Sequence, residues 1–290
     1  MKKIIYFLLL SVICYTLSFG TLFSQNDSKI IMLKPVSNIV NPAVLTQSAT
    51  IISARLKVYG IEKPDVVALT DKNQIKVQIP DNYTFSEIEG LLTLKGEIAF
   101  YETYNRKEVS ELLKDDNQLF RMLNSDPAIT PSDSRLGCIT SENRSQIDAY
   151  LKSIKKPENC KFFWHEIGSS SDKSKRCLFA LKTNYEGKPL LSRSDIETVK
   201  AQPADDGKSF NISIIFKKSA AALWADATRN NINRAIAITL DSYVYSAPTV
   251  RAVIEKGVSE INGDMTQKDV NYFLALVNNE PLHITLELVK

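Results

Sequence analysis

The order in which strand-like and helix-like segments alternate is the feature that most constrains the fold of this chain. Apolar residues recur at every second position in a half-buried strand and at every third or fourth position in an amphipathic helix. Between residues 29 and 102 six segments follow in the order strand, helix, strand, strand, helix, strand: KIIMLKPV, ATIISARLKVYG, PDVVAL, QIKVQIP, FSEIEGLLTL and GEIAFYE. This β-α-β-β-α-β order predicts a ferredoxin-like module, in which both helices pack on one face of an antiparallel sheet.

The bulk composition is that of a folded globular protein. Of the 290 residues, 44% are apolar and 24% are charged, which is incompatible with a disordered chain. The formal net charge is only +3. A whole-chain electrostatic attraction to nucleic acid is therefore not expected.

The N-terminal residues have the layout of a secretory signal. Lys2 and Lys3 precede an uncharged, mostly apolar stretch from Ile4 to Phe23, and polar residues follow. We predict that residues 1–24 are a signal peptide cleaved after Ser24. Two alternatives remain open, an uncleaved N-terminal anchor and lipidation at Cys14. Membrane contact is expected only through this segment.

Export would place the remaining cysteines, Cys138, Cys160 and Cys177, in an oxidising compartment. An odd number allows at most one internal disulfide and leaves one thiol over. The sequence does not decide which two pair. No cysteine lies in a C-x-x-C motif, so a thioredoxin-like redox site is not indicated.

The region from residue 103 to 177 differs from its surroundings in the irregular spacing of its apolar residues and in its prolines and serines. It contains two predicted helices, RKEVSELLKDDNQLFRMLNS and SENRSQIDAYLKSI, followed by a predicted hairpin of KFFWHEI and RCLFALK with the polar tip GSSSDKSK. We interpret it as a helical and hairpin insert between the first module, at 30–102, and a second α+β module at 178–289.

The second module is predicted to contain a strand (SFNISIIF), an Ala-rich helix that Ser219 can cap, a hairpin, a further helix and a final strand (PLHITLELV). The further helix begins at Thr266, with Asp269 three residues on as in a capping box. Its residues Val270, Phe273, Leu274 and Val277 are spaced to form one core face.

The hairpin in this module is AIAITLDSYVYSAP, residues 235–248, with Asp241-Ser242 as a two-residue turn. Pro248 cannot donate a backbone hydrogen bond, so it is expected to end the second strand. We expect the larger side chains of Ile236, Ile238 and Leu240 to face the core.

Several separated segments resemble one family. The segments ARLKVYGIEKPDVVALTDKNQIKVQIP, NINRAIAITLDSYVYSAPTV and SEINGDMTQKDVNYFLALV are similar, in this order, to parts of the first periplasmic domain of SecD and SecDF. Those membrane proteins assist the Sec translocon in late preprotein export. The resemblance covers roughly 45–102 and 178–289, and it implies a base and a head subdomain. The positions that carry it, with structural or binding roles, are Gly60, Pro64, Asp65, Thr228, Asp241, Ser246, Ala247, Pro248, Gly257 and Gly263.

The sequence departs from the family in two respects. The loop Glu255-Lys256-Gly257 stands where the family usually has Gly-Gly. The membrane bundle of the family, with its proton-relaying residues, has no counterpart, so proton-driven work is not carried over and a stand-alone domain is expected.

Catalytic and metal-binding residues are not indicated. The chain has two histidines, His165 in a predicted strand and His283 in the predicted last strand, and both are expected to be partly exposed strand residues. The acidic pairs Asp115-Asp116 and Asp205-Asp206 have lysine close by, which is typical of solvated surface. We therefore expect no enzyme activity, no metal and no cofactor.

Two hypotheses about function follow. In the first, the resemblance implies an exported, non-catalytic accessory of protein export, in the periplasm or at the periplasmic face of a bacterial envelope membrane. Its partners would be unfolded exported polypeptides or components of the Sec translocon. In the second, the domain has been repurposed for a structural or partner-docking role in the cell envelope that is unrelated to export.

Overall fold

The computed structural model describes residues 28–37, 40–114, 118–123, 128–140, 143–155, 158–165 and 176–289. The predicted signal segment and the polar tip of the insert lie outside these residues, as do Asp115 and Asp116. Within the described residues, no helix is long and apolar enough to cross a membrane.

The helices are separated by strands along most of the chain. They are α1 (Pro42–Tyr59), α2 (Phe85–Thr93), α3 (Arg106–Leu112), α4 (Gln118–Met122), α5 (Arg144–Ser153), α6 (Lys218–Asn230) and α7 (Gln267–Val277).

The strands are distributed over three sheets. They are β1 (Ser28–Pro35), β2 (Asp65–Leu69), β3 (Gln74–Pro80), β4 (Ile98–Tyr104), β5 (Arg135–Ile139), β6 (Cys160–His165), β7 (Arg176–Lys182), β8 (Leu191–Ser192), β9 (Ile196–Pro203), β10 (Phe210–Phe216), β11 (Ile236–Leu240), β12 (Tyr243–Ser246), β13 (Val258–Met265) and β14 (Leu286–Leu288). The fold class is therefore α+β, as predicted.

The first sheet corrects the predicted ferredoxin-like arrangement. The six predicted elements are all present, but the sheet has the order β14-β1-β3-β2, and β4 is not part of it. The place beside β1 is taken by the short C-terminal strand β14, through Leu33 opposite Leu288. Strand β4 has buried residues on both faces, so it needs neighbours that cover both faces. Its own alternation cannot indicate which sheet supplies them.

The second sheet contains strands from all three predicted regions. Its order is β5-β7-β6-β12-β11-β4-β8, and β7 also pairs with β4, through Thr103 opposite Leu181. This additional pairing closes β4, β7, β6, β12 and β11 into a ring. In a closed sheet alternate side chains point inward, and the inward set forms a small core of its own: Tyr101, Phe179, Leu181, Ala237 and Val244.

The third sheet has the order β13-β10-β9. Strands β9 and β13, like β5 in the insert, have no counterpart among the predicted strands. Each of these three strands has fewer regularly spaced apolar residues than β10, so the hydrophobic periodicity of the sequence alone does not reveal them. An aromatic cluster joins this sheet to the second one, because Phe100 of β4 lies 5.0 Å from Phe216 and 5.5 Å from Trp224 between ring centroids.

Strand pairings cross the predicted module boundaries. Strand β14 from the C-terminal range pairs with β1, and β4 from the N-terminal range pairs with β11. One continuous core runs from Ile31 to Leu286. The ranges 30–102, 103–177 and 178–289 thus do not correspond to separate sheets, and their independence as folding units stays a prediction.

Three local predictions were wrong. The first helix of the insert is two short helices, α3 and α4, and the chain has a positive φ of 52° at Lys114, where an L-residue seldom continues a helix. Helix α6 begins at Lys218 with Lys217 as its N-cap, so Ser219 does not cap it. His283 lies before β14 and is exposed.

Helix ends were predicted more accurately. Helix α1 begins at Pro42 rather than at the predicted Ala49, about two turns earlier, because the Asn41 side chain accepts a hydrogen bond from the amide of Ala43 and Pro42 occupies the first helical turn. It ends at Gly60, as predicted, with a left-handed φ of 118°. The capping box between Thr266 and Asp269 at the start of α7 is confirmed.

The predicted hairpin is also confirmed. Leu240 is opposite Tyr243, which leaves Asp241 and Ser242 as the turn. Ile236, Ile238 and Leu240 belong to the main core. The opposite face is buried too, because Ala237 lies inside the closed ring.

Truncation of Ile238 to alanine is expected to lower the free energy of unfolding by about 2–5 kcal/mol, because the side chain is buried and would leave a cavity. Replacement of Ser242, which is exposed in the turn, should cost well under 1 kcal/mol. Urea denaturation of both variants measures this. An unchanged midpoint for Ile238→Ala, with loss of polypeptide binding, would instead show that the hairpin is a binding surface.

An ion pair between α2 and α7 should make stability depend on acid pH. Glu87 lies within salt-bridge distance of Lys268 and also accepts hydrogen bonds from Thr84. The hydrogen bond from Lys268 is the main cause that lowers the pKa of Glu87 to about 2. A lowered carboxyl pKa stabilises the fold above the ordinary value of about 4.3, and that contribution disappears as the pH falls toward 2.

The stability of Glu87→Gln should therefore be lower than that of the parent chain at pH 6, and the difference should shrink between pH 4.5 and 2. Because the pair is largely exposed, salt should weaken it. Thermal unfolding at a series of pH values tests this, with Glu111→Gln as a control on another surface ion pair. A difference that is constant with pH would contradict the assignment.

Candidate functional site

Asp241 does more than form a turn. Its carboxylate accepts hydrogen bonds from the backbone amides of Lys95, Gly96 and Glu97 at 2.7, 3.0 and 2.9 Å. Its own amide donates to the carbonyl of Glu97 at 2.8 Å. Asp241 thus attaches the hairpin to the connection between α2 and β4. We call residues 94–97 the junction loop.

Arg55 binds the same loop through its carbonyl groups. This side chain is completely buried, and its guanidinium donates to the carbonyls of Leu91, Leu94, Lys95 and Glu280. Burial lowers the pKa of Arg55 to about 10, whereas the negative charge of Asp241 acts in the opposite direction. At neutral pH the guanidinium therefore keeps its charge inside the core.

Gly96 allows the junction loop to lie between the Arg55 guanidinium and the Asp241 carboxylate. Its φ is 85°, and a Cβ atom there would lie 2.6 Å from Nη2 of Arg55 and 2.8 Å from the carbonyl oxygen of Leu276. No residue other than glycine fits without moving backbone atoms. Neither Arg55 nor Gly96 was predicted as a site residue. The available signal was a charged residue between Ile52 and Leu56 on the apolar face of α1.

The first group of predicted motif positions has local structural roles. Gly60 ends α1. Pro64 immediately precedes β2, and Asp65, the first residue of that strand, pairs with Lys76 at 2.8 Å. These positions lie in the first sheet and its entry turn, so the structure does not bring them to the hairpin.

Thr228, in the last turn of α6, holds the loop that follows β12. The buried hydroxyl of Thr228 donates to the carbonyls of Trp224 and Ala225 and accepts from the amide of Ile254 at 3.0 Å. Gly257 has a φ of 64°, and a Cβ there would lie 3.0 Å from the Cβ of Ala221. Gly263 falls within β13.

Ser246 and Ala247 line a cavity of about 620 Å³, whereas Pro248 is exposed beside it. The cavity opens at one end of the closed ring, and we call it the mouth. Its lining combines residues of the second predicted module with residues of the insert: Thr103, Asn105, Thr130, Ser132, Asp133, Ser134, Arg135, His165, Cys177, Phe179, Asn233, Arg234, Ala235, Tyr245, Ser246, Ala247 and Thr249.

A disulfide stands at the edge of the mouth. Cys177 of β7 is bonded to Cys138, which lies opposite it on β5. Cys160 is buried in the separate core of the insert and is not part of this bond. The sequence allowed one disulfide without indicating the pair, because pairing depends on which strands become neighbours.

His165 lines the mouth as a residue of β6. Burial lowers its pKa, and a hydrogen bond to the backbone of Tyr245 opposes this shift only in part. The imidazole is therefore mostly neutral at pH 7. Across the described ranges, no group of three or more His, Cys, Asp or Glu residues could hold a metal ion.

The acidic pair Asp205-Asp206 lies in the turn between β9 and β10. Asp206 accepts hydrogen bonds from the amides of Lys208 and Ser209, both at 2.8 Å, and from the Ser209 hydroxyl. These bonds lower the pKa of Asp206. The interactions are those of a local turn.

Comparisons with known proteins identify the class. Residues 170–284 match the family model described as the P1 head subdomain of SecDF. Protein translocase subunit SecD of Acidaminococcus fermentans is 31% identical over 107 residues, which cover 37% of this chain and 25% of that protein. Subunit SecDF of Thermus thermophilus is 27% identical over 110 residues, 38% of this chain and 15% of that protein.

A longer match is found with SecD of Rickettsia conorii, 21% identical over 247 residues that cover 85% of this chain and 38% of that protein. A solved structure of the membrane component SecDF, described as enhancing protein export, has a TM-score of 0.48 at 18% identity, covering 90% of this chain and 98% of the other. The chain thus spans 38% or less of each of the three sequence relatives.

These matches place the chain in the class of domains found in protein translocase subunits. More narrowly, residues 170–284 are similar to the head subdomain of the first periplasmic domain of SecDF, and the match with SecD extends the likeness to 85% of the chain. The resemblance found in the sequence is confirmed.

Replacement of Asp241 by alanine is expected to lower the free energy of unfolding by at least about 2 kcal/mol, because amides of the junction loop lose their acceptor and the charge of Arg55 loses a neighbour. Asp241 has a positive φ of 52°. Asp241→Asn should cost less, since asparagine tolerates a positive φ and retains one acceptor. Chemical denaturation measures both. Equal stability of Asp241→Ala and the parent chain would show that the carboxylate does not hold the loop.

Proposed function

We propose that this chain is a non-catalytic accessory of protein export that binds unfolded polypeptide at the mouth of the closed ring. Its partners would be exported polypeptides and components of the Sec translocon, and its place the periplasm or the periplasmic face of a bacterial envelope membrane. The observation that carries the proposal is that Ser246 and Ala247, which lie in the range that matches the SecDF head model, line the mouth.

The form of the mouth supports polypeptide as the ligand. Ligand sites in proteins are concave, largely preformed and placed at the ends of closed sheets among other locations. The volume of about 620 Å³ lies within the usual range of about 300–1,000 Å³ for such sites. Hydroxyl, amide and backbone groups around it can bind peptide groups, which occur in every unfolded chain.

A purely structural role in the envelope is the other hypothesis. The comparisons do not favour it, because the relatives named above are all protein translocase subunits. That role would leave the mouth without a polypeptide ligand, and this difference can be measured.

A tryptophan at Thr249 should block the mouth. Thr249 is exposed and lines the cavity, so the larger side chain can occupy the opening without disturbing the core. We expect Thr249→Trp to weaken binding of a fluorescein-labelled, permanently unfolded polypeptide about tenfold or more, which corresponds to about 1.4 kcal/mol. Fluorescence anisotropy measures the Kd.

Thr285→Trp is the matched control, because Thr285 is also exposed but lies next to β14, away from the mouth lining. It should bind like the parent chain. Thermal unfolding of both variants checks that they fold. If the parent chain does not bind the polypeptide, or if the two variants bind equally, polypeptide binding at the mouth is excluded.

A further inference from the structure

The cationic groups at the mouth are already neutralised by acids of this chain. Arg234 donates to the carboxylate of Glu108 at 2.7 Å and to the carbonyl of Thr103 at 3.1 Å. Arg135 donates through two nitrogens to Asp133, at 3.1 and 2.7 Å. The two guanidinium groups therefore each face a carboxylate within hydrogen-bond distance.

Glu108 is held in place independently of its partner. Its carboxylate also accepts from the amide of Asn105 in the capping box of α3. Burial alone would raise the pKa of Glu108, but the hydrogen bonds from Arg234 and from Asn105 outweigh it and lower the pKa. The carboxylate thus stays ionised opposite Arg234 at neutral pH.

Two further ionisable side chains line the mouth: His165, which is mostly neutral at pH 7, and Tyr245, whose pKa is raised by burial so that its phenol stays neutral. The lining thus includes the guanidinium groups of Arg135 and Arg234; Asp133 lines the cavity beside Arg135, whereas Glu108 pairs with Arg234 from outside the lining. Among the residues that the structure describes, a charged ligand finds an opposite charge at the mouth only by separating one of these two pairs.

The remaining lining is neutral. Phe179, Ala235 and Ala247 contribute the apolar atoms of the lining; Phe179 and Ala235 are nearly buried, so only the edge of each side chain reaches the cavity. Polar, uncharged side chains lie around them: Asn105, Asn233, Ser132, Ser134, Ser246 and Thr249. This lining can contact an apolar side chain of a polypeptide and form hydrogen bonds with its backbone.

We propose that the mouth selects uncharged segments of polypeptide, with an aliphatic or aromatic side chain against Phe179, and rejects segments that bring a charged side chain. This inference rests on the proposed function and adds a ligand class to it. The physical reason is that a charged side chain would lose its hydration without gaining a free counter-charge.

The selectivity can be measured with four fluorescein-labelled nonapeptides that are identical except for a central Leu, Phe, Asp or Lys. Anisotropy titrations of the full chain at pH 7 should give similar Kd values for Leu and Phe, and values about tenfold or more higher for Asp and Lys. Equal Kd values for all four peptides would overturn the charge selection while leaving polypeptide binding intact. If none of the four binds, the proposal and polypeptide binding at the mouth both fail.

Glu108→Gln tests the cause of the selectivity. Glutamine has nearly the same shape and retains an oxygen that can accept from the Asn105 amide, but it leaves Arg234 without its carboxylate. The Kd of the Asp peptide should fall toward that of the Leu peptide, and that of the Lys peptide should rise further. Glu111→Gln on the same helix, whose carboxylate is exposed and pairs with Lys107, should change neither ratio.

Asp133→Asn provides a second route to the same result, because it removes the acid that faces Arg135. If thermal unfolding shows that Glu108→Gln is too unstable to assay, the Kd ratios measured with Asp133→Asn test the role of the paired charges. Unchanged ratios between the Asp, Leu and Lys peptides in folded variants would refute the proposed role of the paired charges.

Discussion

The junction loop, residues 94–97, is the point on which the rest of the structure depends. The chain leaves the first sheet after α2 and enters the closed ring at β4 through this loop. Its carbonyls are bound by the buried Arg55, and its amides are bound by Asp241. A buried guanidinium is costly unless its donors are satisfied. The loop and the neighbouring helices supply acceptors for both terminal nitrogens of Arg55, and the hairpin supplies the charge of Asp241, whereas Nε of Arg55 is buried without a hydrogen-bond partner.

The need of buried arginine donors for acceptors also explains how one continuous core can join distant parts of the chain. Arg55 also donates to Glu280, just after α7, and Arg193 donates to the carbonyls of Val277 and Asn279 near the end of that helix. Positive charge is favourable at a helix C-terminus. The two arginines thereby help to place α7 against α1 and to bring β14 to the edge of the first sheet. The strands of the second sheet begin with β4, directly after α2 and the junction loop.

The insert completes the candidate site. Strand β6 and the first two residues of β7 belong to the insert, which the sequence did not relate to any family, yet both strands close the ring with β4, β11 and β12. The loop before β5 supplies Asp133 and Arg135 to the mouth, and the Cys138–Cys177 disulfide fixes β5 to β7. The mouth is thus a joint product of a SecD-like hairpin and an insert. A ligand preference of this chain can differ from that of its relatives for this reason.

Four features could be predicted from the sequence, because each depends on residues close together in the chain: the α+β class, the hairpin turn at Asp241-Ser242, the end of α1 at Gly60 and the capping box of α7. The motif order also indicated the family. Only the tertiary structure decided that β4 leaves the first sheet, that Cys138 pairs with Cys177, and that Asp241 and Arg55 bind one loop from opposite sides. These outcomes depend on contacts between residues far apart in sequence, and periodicity records which face of a strand is apolar but not which partner covers it.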